Sequence, residues 1–447
     1  MPRTLGVVGA GTMGSGIAQL GVGAGMRTLL HDPVPEALER GRERVRAGLA
    51  KWAERGRDVD GSLLEATGTV DELAPCELVI EAAPERFDLK RGLFESLSGV
   101  APDAVLATNT SSIPVTSLAG AAARPENVVG MHFFNPPPLM RLVEVIAAEQ
   151  SGERALAVAR EAGEAMGKRV IRAEDGPGFL VNRCGRPFGA EALRLLQEQV
   201  ATVEQIDRIC RLGGGFRMGP FELMDLVGVD VGFEVAKSFD ELSFGEPRWK
   251  PSPIQARMVA AGRLGRKAGR GYYDYSADPY RPEDPDLEPV GDVDLGGLVP
   301  CDSASLAAQG RPDAIGFVRL PGSGPLVELA RGPEAPDAEA DAAEIRCREA
   351  GLHVEWVGDA PGLVLERIVC QLVNEAAFAI GEGVGSADDV DAGLTLGLNH
   401  PRGPIEWSEA IGQEKVLATI DGLWDERREE RYRAAPMLRA GRSLRGT

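Results

Sequence analysis

Cysteine is scarce and scattered in this 447-residue chain: Cys76, Cys184, Cys210, Cys301, Cys347 and Cys370, none at the close spacing of a zinc site or a small disulfide framework. That usage points to reduced, buried thiols in a cytoplasmic protein and to no bound metal. Long apolar runs are missing too. Nowhere do eighteen apolar residues follow one another, so no membrane-spanning helix is expected. Met1-Pro2-Arg3-Thr4 leads into a glycine-broken strand rather than a signal peptide. Positive charge is short: 49 Lys and Arg face 68 Asp and Glu, a net −19, which argues against nucleic acid or an acidic membrane surface as partner. Any phosphate must then be met by backbone N–H groups and a few placed cations. What is present is ordinary for a globular protein, 43% apolar and 26% charged, and the length calls for more than one core.

Up to about residue 175, short apolar runs alternate with helical patterns. Leu5–Val8, Thr28–Leu30, Leu78–Ile80, Ala104–Ala107, Val128–Phe134 and Leu142–Ile146 read as strands; Val34–Arg55, Arg86–Leu97 and Arg154–Met166 read as helices. Alternation of this kind predicts a largely parallel sheet covered on both faces. From Gly178 the texture is helical until about Gly271–Tyr275. Ser276–Pro289, rich in proline and acid, has the composition of an interdomain linker. Residues 290–358 hold a few short strands, Ile315–Leu320 and Pro325–Leu329 among them, and no glycine fingerprint.

An internal repeat follows. Gly178-Phe-Leu-Val-Asn-Arg183 lines up with Gly362-Leu-Val-Leu-Glu-Arg367 at an offset of 184, and the same offset pairs Glu191 with Glu375, Asp207 with Asp391, Gly219-Pro220 with Gly403-Pro404, and Gly228 with Gly412. A register held without a gap through so many matches means that the helical domain is duplicated. The expected organisation is therefore a Rossmann-type α/β domain over 1–177, an all-α domain over 178–278, a linker and reduced Rossmann-like segment over 279–358, and a second, degenerate helical domain over 359–447.

Gly9-Ala10-Gly11-Thr12-Met13-Gly14 is a G-x-G-x-x-G that leaves one strand and opens a helix. The three glycines serve different ends, Gly9 allowing the tight turn, Gly11 letting backbone approach a pyrophosphate, and Gly14 permitting close helix–strand packing. A helix N-terminus there offers unpaired N–H groups to phosphate. Asp32 ends the second strand, suited to the adenosine ribose hydroxyls and repelling a 2′-phosphate. No arginine follows it closely in sequence, so NAD is favoured over NADP.

Four polar residues stand where the local pattern wants something else. His132 ends an apolar strand, and Glu144 interrupts Leu142-Val-Glu-Val-Ile146, where a lone carboxylate would be costly. Together they could relieve each other, the carboxylate fixing the imidazole tautomer and raising its basicity. Ser111 follows a strand at the carboxyl edge of the sheet, where open α/β folds place ligands; an N-cap is its structural alternative. Asn182 opens the helical domain, as a candidate ligand group or a polar residue on a domain seam.

Taken with Val79–Glu85, Thr108–Ser112, His132-Phe-Phe-Asn-Pro136, Gly176–Arg183 and Gly265–Tyr273, these motifs make residues 1–275 resemble the L-3-hydroxyacyl-CoA dehydrogenases, in the bacterial 3-hydroxybutyryl-CoA and phenylacetate-pathway group with a second helical domain. The resemblance implies an NAD-dependent enzyme oxidising (3S)-3-hydroxyacyl-CoA, with 3-hydroxybutyryl-CoA-like or 3-hydroxyadipyl-CoA-like substrates. It makes His132 the general base, Glu144 its support, and Ser111 and Asn182 the groups on the substrate oxygens. Glu85, Lys90, Asn109, Asn135 and Lys267 match positions around the nicotinamide ribose and pyrophosphate, and Lys51 and Arg55 are the candidates for CoA. The second copy carries Glu366 in place of Asn182 and lacks a glycine turn, so it is not expected to be a second active site.

The family's helical domain makes its dimer contact. The protein is accordingly expected as a homodimer, or as an intrachain pseudo-dimer in which the duplicated domain packs on the first copy. In the second case a chain ending after residue 280 should lose stability, activity or its state of association. Two other readings stand beside the enzyme: a family relative acting on a free hydroxy acid or carnitine, and a non-catalytic NAD-binding structural protein. Intact Ser111, His132, Glu144 and Asn182 count against the latter.

Overall fold

The computed structural model describes residues 1–446 other than 286, 287, 289 and 292. The chain forms two compact units, Met1–Val181 with Gly383–Gly397, and Asn182–Glu382 with Leu398–Thr447. The first is built on β1 (Thr4–Val8), α1 (Thr12–Gly23), β2 (Arg27–His31), α2 (Pro35–Glu54), β3 (Leu64–Thr67), β4 (Leu78–Glu81), α3 (Phe87–Val100), β5 (Val105–Thr108), α4 (Val115–Ala119), β6 (Val128–Phe133), β7 (Leu142–Ala147), α5 (Glu153–Ala165) and β8 (Arg169–Glu174). The strands form one eight-stranded sheet in the order β3-β2-β1-β4-β5-β6-β7-β8. Every neighbouring pair is parallel except β6 and β7. Helices on both faces bury the central strands, which is why these read as uninterrupted apolar runs. The core gathers Leu5, Val7, Ile17, Leu30, Ile80, Met131 and Val143.

The second unit opens with five helices: α6 (Val181–Gln197), whose first residue belongs to unit 1, then α7 (Val203–Arg208), α8 (Pro220–Val227), α9 (Val229–Leu242) and α10 (Pro253–Ala260). A four-stranded sheet follows, from β9 (Val299–Pro300), β10 (Ile315–Val318), β11 (Leu326–Arg331) and β12 (His353–Val357), with α11 (Asp337–Glu349) leading into β12. The chain ends in α12 (Leu365–Gly381), α13 (Ala387–Gly397), α14 (Pro404–Ile411), α15 (Gln413–Arg427) and α16 (Pro436–Arg439), of which α13 belongs to unit 1.

The structure carries the repeat further back than Gly178. Leu326-Val-Glu328 of β11 repeats Leu142-Val-Glu144 of β7, α11 begins 184 residues after α5, and β12 begins 184 after β8. Backbone geometry repeats with it: positive φ recurs at Gly167 and Gly351, Phe179 and Leu363, Gln199 and Gly383, and Phe244 and Arg428. The duplicated block therefore includes the last part of the α/β sheet.

The two units also cut the chain differently from boundaries at 178, 279 and 359. α13, from the second helical copy, packs on β7 and β8. Its glycines allow the approach, since a Cβ on Gly393 would lie 2.7 Å from Val181 and one on Gly397 2.9 Å from Leu142. Reciprocally, a π-helical turn at Ile209–Gly213, from the first copy, packs on β11. Nor is the proline-rich stretch after Ser276 a loose linker where it is described. Tyr280 and Arg281 both reach Glu222 at 2.7 Å, and Arg211 holds Asp284 at 2.8 Å. Composition suggests a tether, yet Arg281 and Asp284 in it are held by partners.

Candidate active site

β6 and β7 run antiparallel with His132 directly opposite Glu144. The ring nitrogen Nδ1 of His132 and Glu144 Oε2 are 2.6 Å apart. The other oxygen, Oε1, accepts the N–H groups of Leu180 at 3.2 Å and Val181 at 3.0 Å. Three hydrogen bonds make a fully buried carboxylate tolerable. Phe179 takes φ +53° just before these donors, a backbone reversal that aims both N–H groups at one oxygen. An ionised carboxylate only accepts, so the proton sits on Nδ1 and Nε2 carries the lone pair. Nε2 has no hydrogen-bond partner among the described residues. Phe134 and Phe179 flank the ring at 4.6 and 5.8 Å between centroids.

The strands beside β6 bring the next group. Beyond β4, Glu85 Oε1 accepts from Thr110 Oγ1 at 2.5 Å, Ser111 N at 3.1 Å and Ser112 Oγ at 2.9 Å. Lys90 lies 3.2 Å from its other oxygen. Burial alone would raise the pKa of Glu85, but Lys90 and these donors outweigh it and hold the carboxyl below its ordinary value. Lys90 is itself buried, its ammonium 2.7 Å from Glu81, which also accepts from Thr108. Its charge is engaged by protein carboxylates, so it acts on the site by placing Glu85. Asn109 accepts the N–H of Phe133 at 2.8 Å, fixing the loop after β5 to the residue beside His132. Ser111 is exposed, its backbone anchored and its hydroxyl unpartnered among the described residues; Asn135 is exposed just after β6. Glu85, Asn109, Ser111, His132 and Glu144 thus belong to one edge of one unit.

At the turn after β1, a Cβ on Gly9 would lie 2.6 Å from the Ala82 carbonyl, and one on Gly14 1.7 Å from the Gly9 carbonyl; both positions are closed to any side chain. Gly11 differs, because an added Cβ would meet no protein atom within 4 Å. Packing does not require that glycine, and the open space above it suits a close-lying pyrophosphate. No side chain caps α1, which leaves its first N–H groups to a ligand. Asp32 accepts from Ala10 N at 2.9 Å and Val34 N at 3.0 Å, so its carboxylate is fixed just after β2, beside the glycine turn. The residues fit a dinucleotide. Sequence spacing had hidden one neighbour: Arg44 reaches back from α2 to the carbonyl of Ala10 at 3.3 Å, so an arginine does stand at this turn.

Sequence reasoning also passed over Lys168, whose ammonium donates to the Pro137 and Met140 carbonyls at 2.6 Å and pins the β6–β7 loop. Burial first, with Arg57 adding to it, pulls its pKa down to about 8. Lys51 and Arg55 are exposed at the C-terminal end of α2. Asn182 and Lys267 lie in the other unit: Asn182 on the first turn of α6, one residue after the Val181 donor, and Lys267 on a short turn, 2.6 Å from Asp230.

The second copy keeps part of this machinery. Glu328 on β11 accepts from Val364 N at 2.7 Å and Leu365 N at 3.1 Å, the counterparts of Leu180 and Val181. Opposite it on β10 stands Val318 where the first copy has a histidine. The carboxylate survives as a clasp for the start of α12, without a base.

Comparison with known proteins decides the family. The NAD-binding domain model of 3-hydroxyacyl-CoA dehydrogenase matches residues 4–176, and the C-terminal domain model of the same family matches twice, over 178–275 and 362–442. The chain belongs to the 3-hydroxyacyl-CoA dehydrogenase family. It is 37% identical to the 3-hydroxyadipyl-CoA dehydrogenase of Escherichia coli K12 over 98% of this chain and 97% of that one. A crystal structure of 3-hydroxybutyryl-CoA dehydrogenase from Escherichia coli K12 superposes with a TM-score of 0.92 at 36% identity, covering 99% of this chain and 98% of the other. A 3-hydroxybutyryl-CoA dehydrogenase of Mycobacterium tuberculosis is 42% identical over 61% of this chain and 98% of its own. The chain is an NAD-dependent 3-hydroxyacyl-CoA dehydrogenase of Rossmann and helical domains. Among the described residues no helix is long and apolar enough to cross a membrane, and no cluster of His, Cys, Asp and Glu could hold a metal.

Proposed function

We propose that the buried pair His132–Glu144 is the proton-handling centre of this dehydrogenase. The observation that carries the reading is the 2.6 Å contact on Nδ1, which leaves Nε2 as the one basic nitrogen. His132 Nε2 takes the proton of the C3 hydroxyl, and Glu144 supports the imidazolium that forms. Bound NAD supplies the hydride acceptor. Ser111 and Asn182 hydrogen-bond the substrate oxygens; Glu85, Asn109, Asn135 and Lys267 serve the nicotinamide side, with Lys90 holding Glu85. Gly9–Gly14 and Asp32 hold the pyrophosphate and ribose, and Lys51 and Arg55 meet the CoA. Substrates are short 3-hydroxyacyl-CoAs of hydroxybutyryl or hydroxyadipyl type, which the names of the relatives support. The reaction is a β-oxidation step in the cytoplasm, where six free, buried cysteines stay reduced.

Oxidation of NADH by acetoacetyl-CoA, followed by absorbance, tests this. The wild type should turn over with NADH in preference to NADPH and ignore free acetoacetate. His132→Gln should bind NADH normally and lose about 10²- to 10⁴-fold in kcat. Near-normal turnover in that variant removes His132 from the base role; activity on the free acid redirects the reading to a non-thioester substrate.

A further inference from the structure

Beyond Asn182, α6 carries Arg186, Ala190 and Leu193 on the same helix face. Within unit 2 that face lines a cleft of about 690 Å³ whose other walls include Met224 and Val227 of α8 and Val231 of α9. Val227 and Val231 are 53% and 45% exposed, an apolar surface left open to a ligand. The cleft is basic in an acidic protein, lined by Arg186, Arg194, Lys250 and Arg431 against Glu429 and Glu430. Arg194 pairs with Glu429, and Arg431 lies 3.6 Å from the same carboxylate.

Arg186 is different. Its guanidinium lies over the Phe239 ring, 4.6 Å from the centroid, and it has no ion pair or hydrogen bond among the described residues. Its Nε is buried without an acceptor. Burial pulls its pKa down to about 10, with the charge of Glu375 only partly opposing. A largely buried guanidinium without a direct ion-pair partner is costly, and Glu375 acts on it only through space. The wall beside it is apolar, so the ligand that completes the site is an alkyl chain ending in an anion. A CoA phosphate is a poor fit for such a wall.

We propose that Arg186 is a specificity-determining residue that receives the terminal carboxylate of a dicarboxylic 3-hydroxyacyl group lying in this cleft. The inference rests on the dehydrogenase reading and on Asn182 as a substrate ligand. Asn182 and Arg186 stand one turn apart, about 6 Å along the axis. That separation suits the three carbon–carbon bonds between C3 and the far carboxyl of a six-carbon diacid. A guanidinium takes a carboxylate in two parallel hydrogen bonds, which an uncharged methyl end cannot offer. The second copy has Cys370 at the equivalent position, so the device belongs to the first copy alone.

The test compares kcat/KM for the six-carbon 3-ketoacyl-CoA ending in a carboxylate, its ω-methyl ester and acetoacetyl-CoA, in the full-length wild type, Arg186→Met and Arg186→Lys. The wild type should prefer the free carboxylate over the ester. Arg186→Met should lower that preference by about 10- to 100-fold, as loss of a charge-assisted pair does, and Arg186→Lys should restore part of it. NADH binding, followed by fluorescence, reports whether the variants remain folded. A wild type that uses acetoacetyl-CoA and shows no preference for the carboxylate over the ester overturns the role of Arg186. So does an unchanged preference in Arg186→Met with NADH still bound. Absence of turnover on every thioester would instead overturn the dehydrogenase reading, a separate outcome. If Arg186→Met no longer binds NADH, Lys250→Met and the wild-type carboxylate-to-ester ratio decide: a ratio near one rejects the proposal.

Discussion

Asp32 and Arg44 meet at the backbone of Ala10, one on its N–H and the other on its carbonyl. With Asp32 in its proposed place at the ribose, discrimination against a 2′-phosphate would rest on the carboxylate, since Arg44, a cation that could receive the phosphate, stands nearby. Asp32→Ala should lower the NAD over NADP ratio of kcat/KM by about 10- to 100-fold, the scale of one charge-assisted contact. Adding Arg44→Ala should return part of the preference. Hydride-transfer kinetics with both cofactors read the ratio, and an unchanged value in Asp32→Ala removes it from ribose selection. Sequence exposed Asp32, His132 and Glu144 because each breaks a local apolar or glycine pattern. It hid Arg44 and Lys168, which look like ordinary helix-surface and turn cations until the fold brings carbonyls to them. It also hid the engagement of Lys90, which depends on Glu81 and Glu85 converging from the end of β4.

At the scale of elements, the central strands were legible to within a residue or two, because burial on both faces leaves a continuous apolar run. The edges were not. β3 shows exposed Glu65, and β8 alternates charged and apolar residues, so neither forms such a run. α11 escaped for another reason: it packs through Ala340, Ala343 and Cys347, too small to write a strong stripe. α12 shows what burial costs. Nearly all of it is buried, including Glu366, which stands where the first copy has Asn182. Burial first, then the nearby charge of Asp302, raises the Glu366 pKa from 4.5 to about 8, with Lys415 and a hydrogen bond from Thr419 pulling back. The native state thus keeps a proton that the unfolded chain releases at its ordinary value. Stability from this group is present at low pH and drains away as pH rises towards 8, by up to about 1.4 kcal/mol per pH unit. Urea unfolding at pH 6 and pH 8 should show a smaller loss in Glu366→Gln than in the wild type. Parallel losses would mean that the native carboxyl is already ionised at pH 6.

Across the whole molecule, the repeat appears as a pattern of reciprocal contacts within unit 2. Arg183 of α6 holds Glu375 of α12 at 2.8 Å, and Arg367 of α12 holds Glu191 of α6 at 2.5 Å. These are the same two positions exchanged, 184 residues apart. A third partner follows suit: Arg248 bonds Glu375, and Tyr432, 184 residues later, bonds Glu191. Contacts in which position i of one copy meets j of the other, and j meets i, are the mark of a two-fold interface. Here both copies are in one chain, whereas relatives matched over about 60% of this chain are covered almost whole by that match. We propose that the second helical copy serves as an internal partner for the first. Arg367 is the sharpest place to ask, being fully buried between Glu191 and Glu198. Replacing it by methionine leaves Glu191 with only the Tyr432 hydroxyl, while Glu198 keeps Arg427, and the full-length chain should lose about 3–5 kcal/mol in urea unfolding. Adding Glu191→Gln should recover part of the loss, because the cost lies in the uncompensated charge. Arg183→Met, the mirror substitution, should cost a comparable amount. A loss below about 1 kcal/mol in Arg367→Met would mean that these ion pairs do not hold the copies together, and the internal two-fold would have to rest on the apolar faces of α6 and α12 alone.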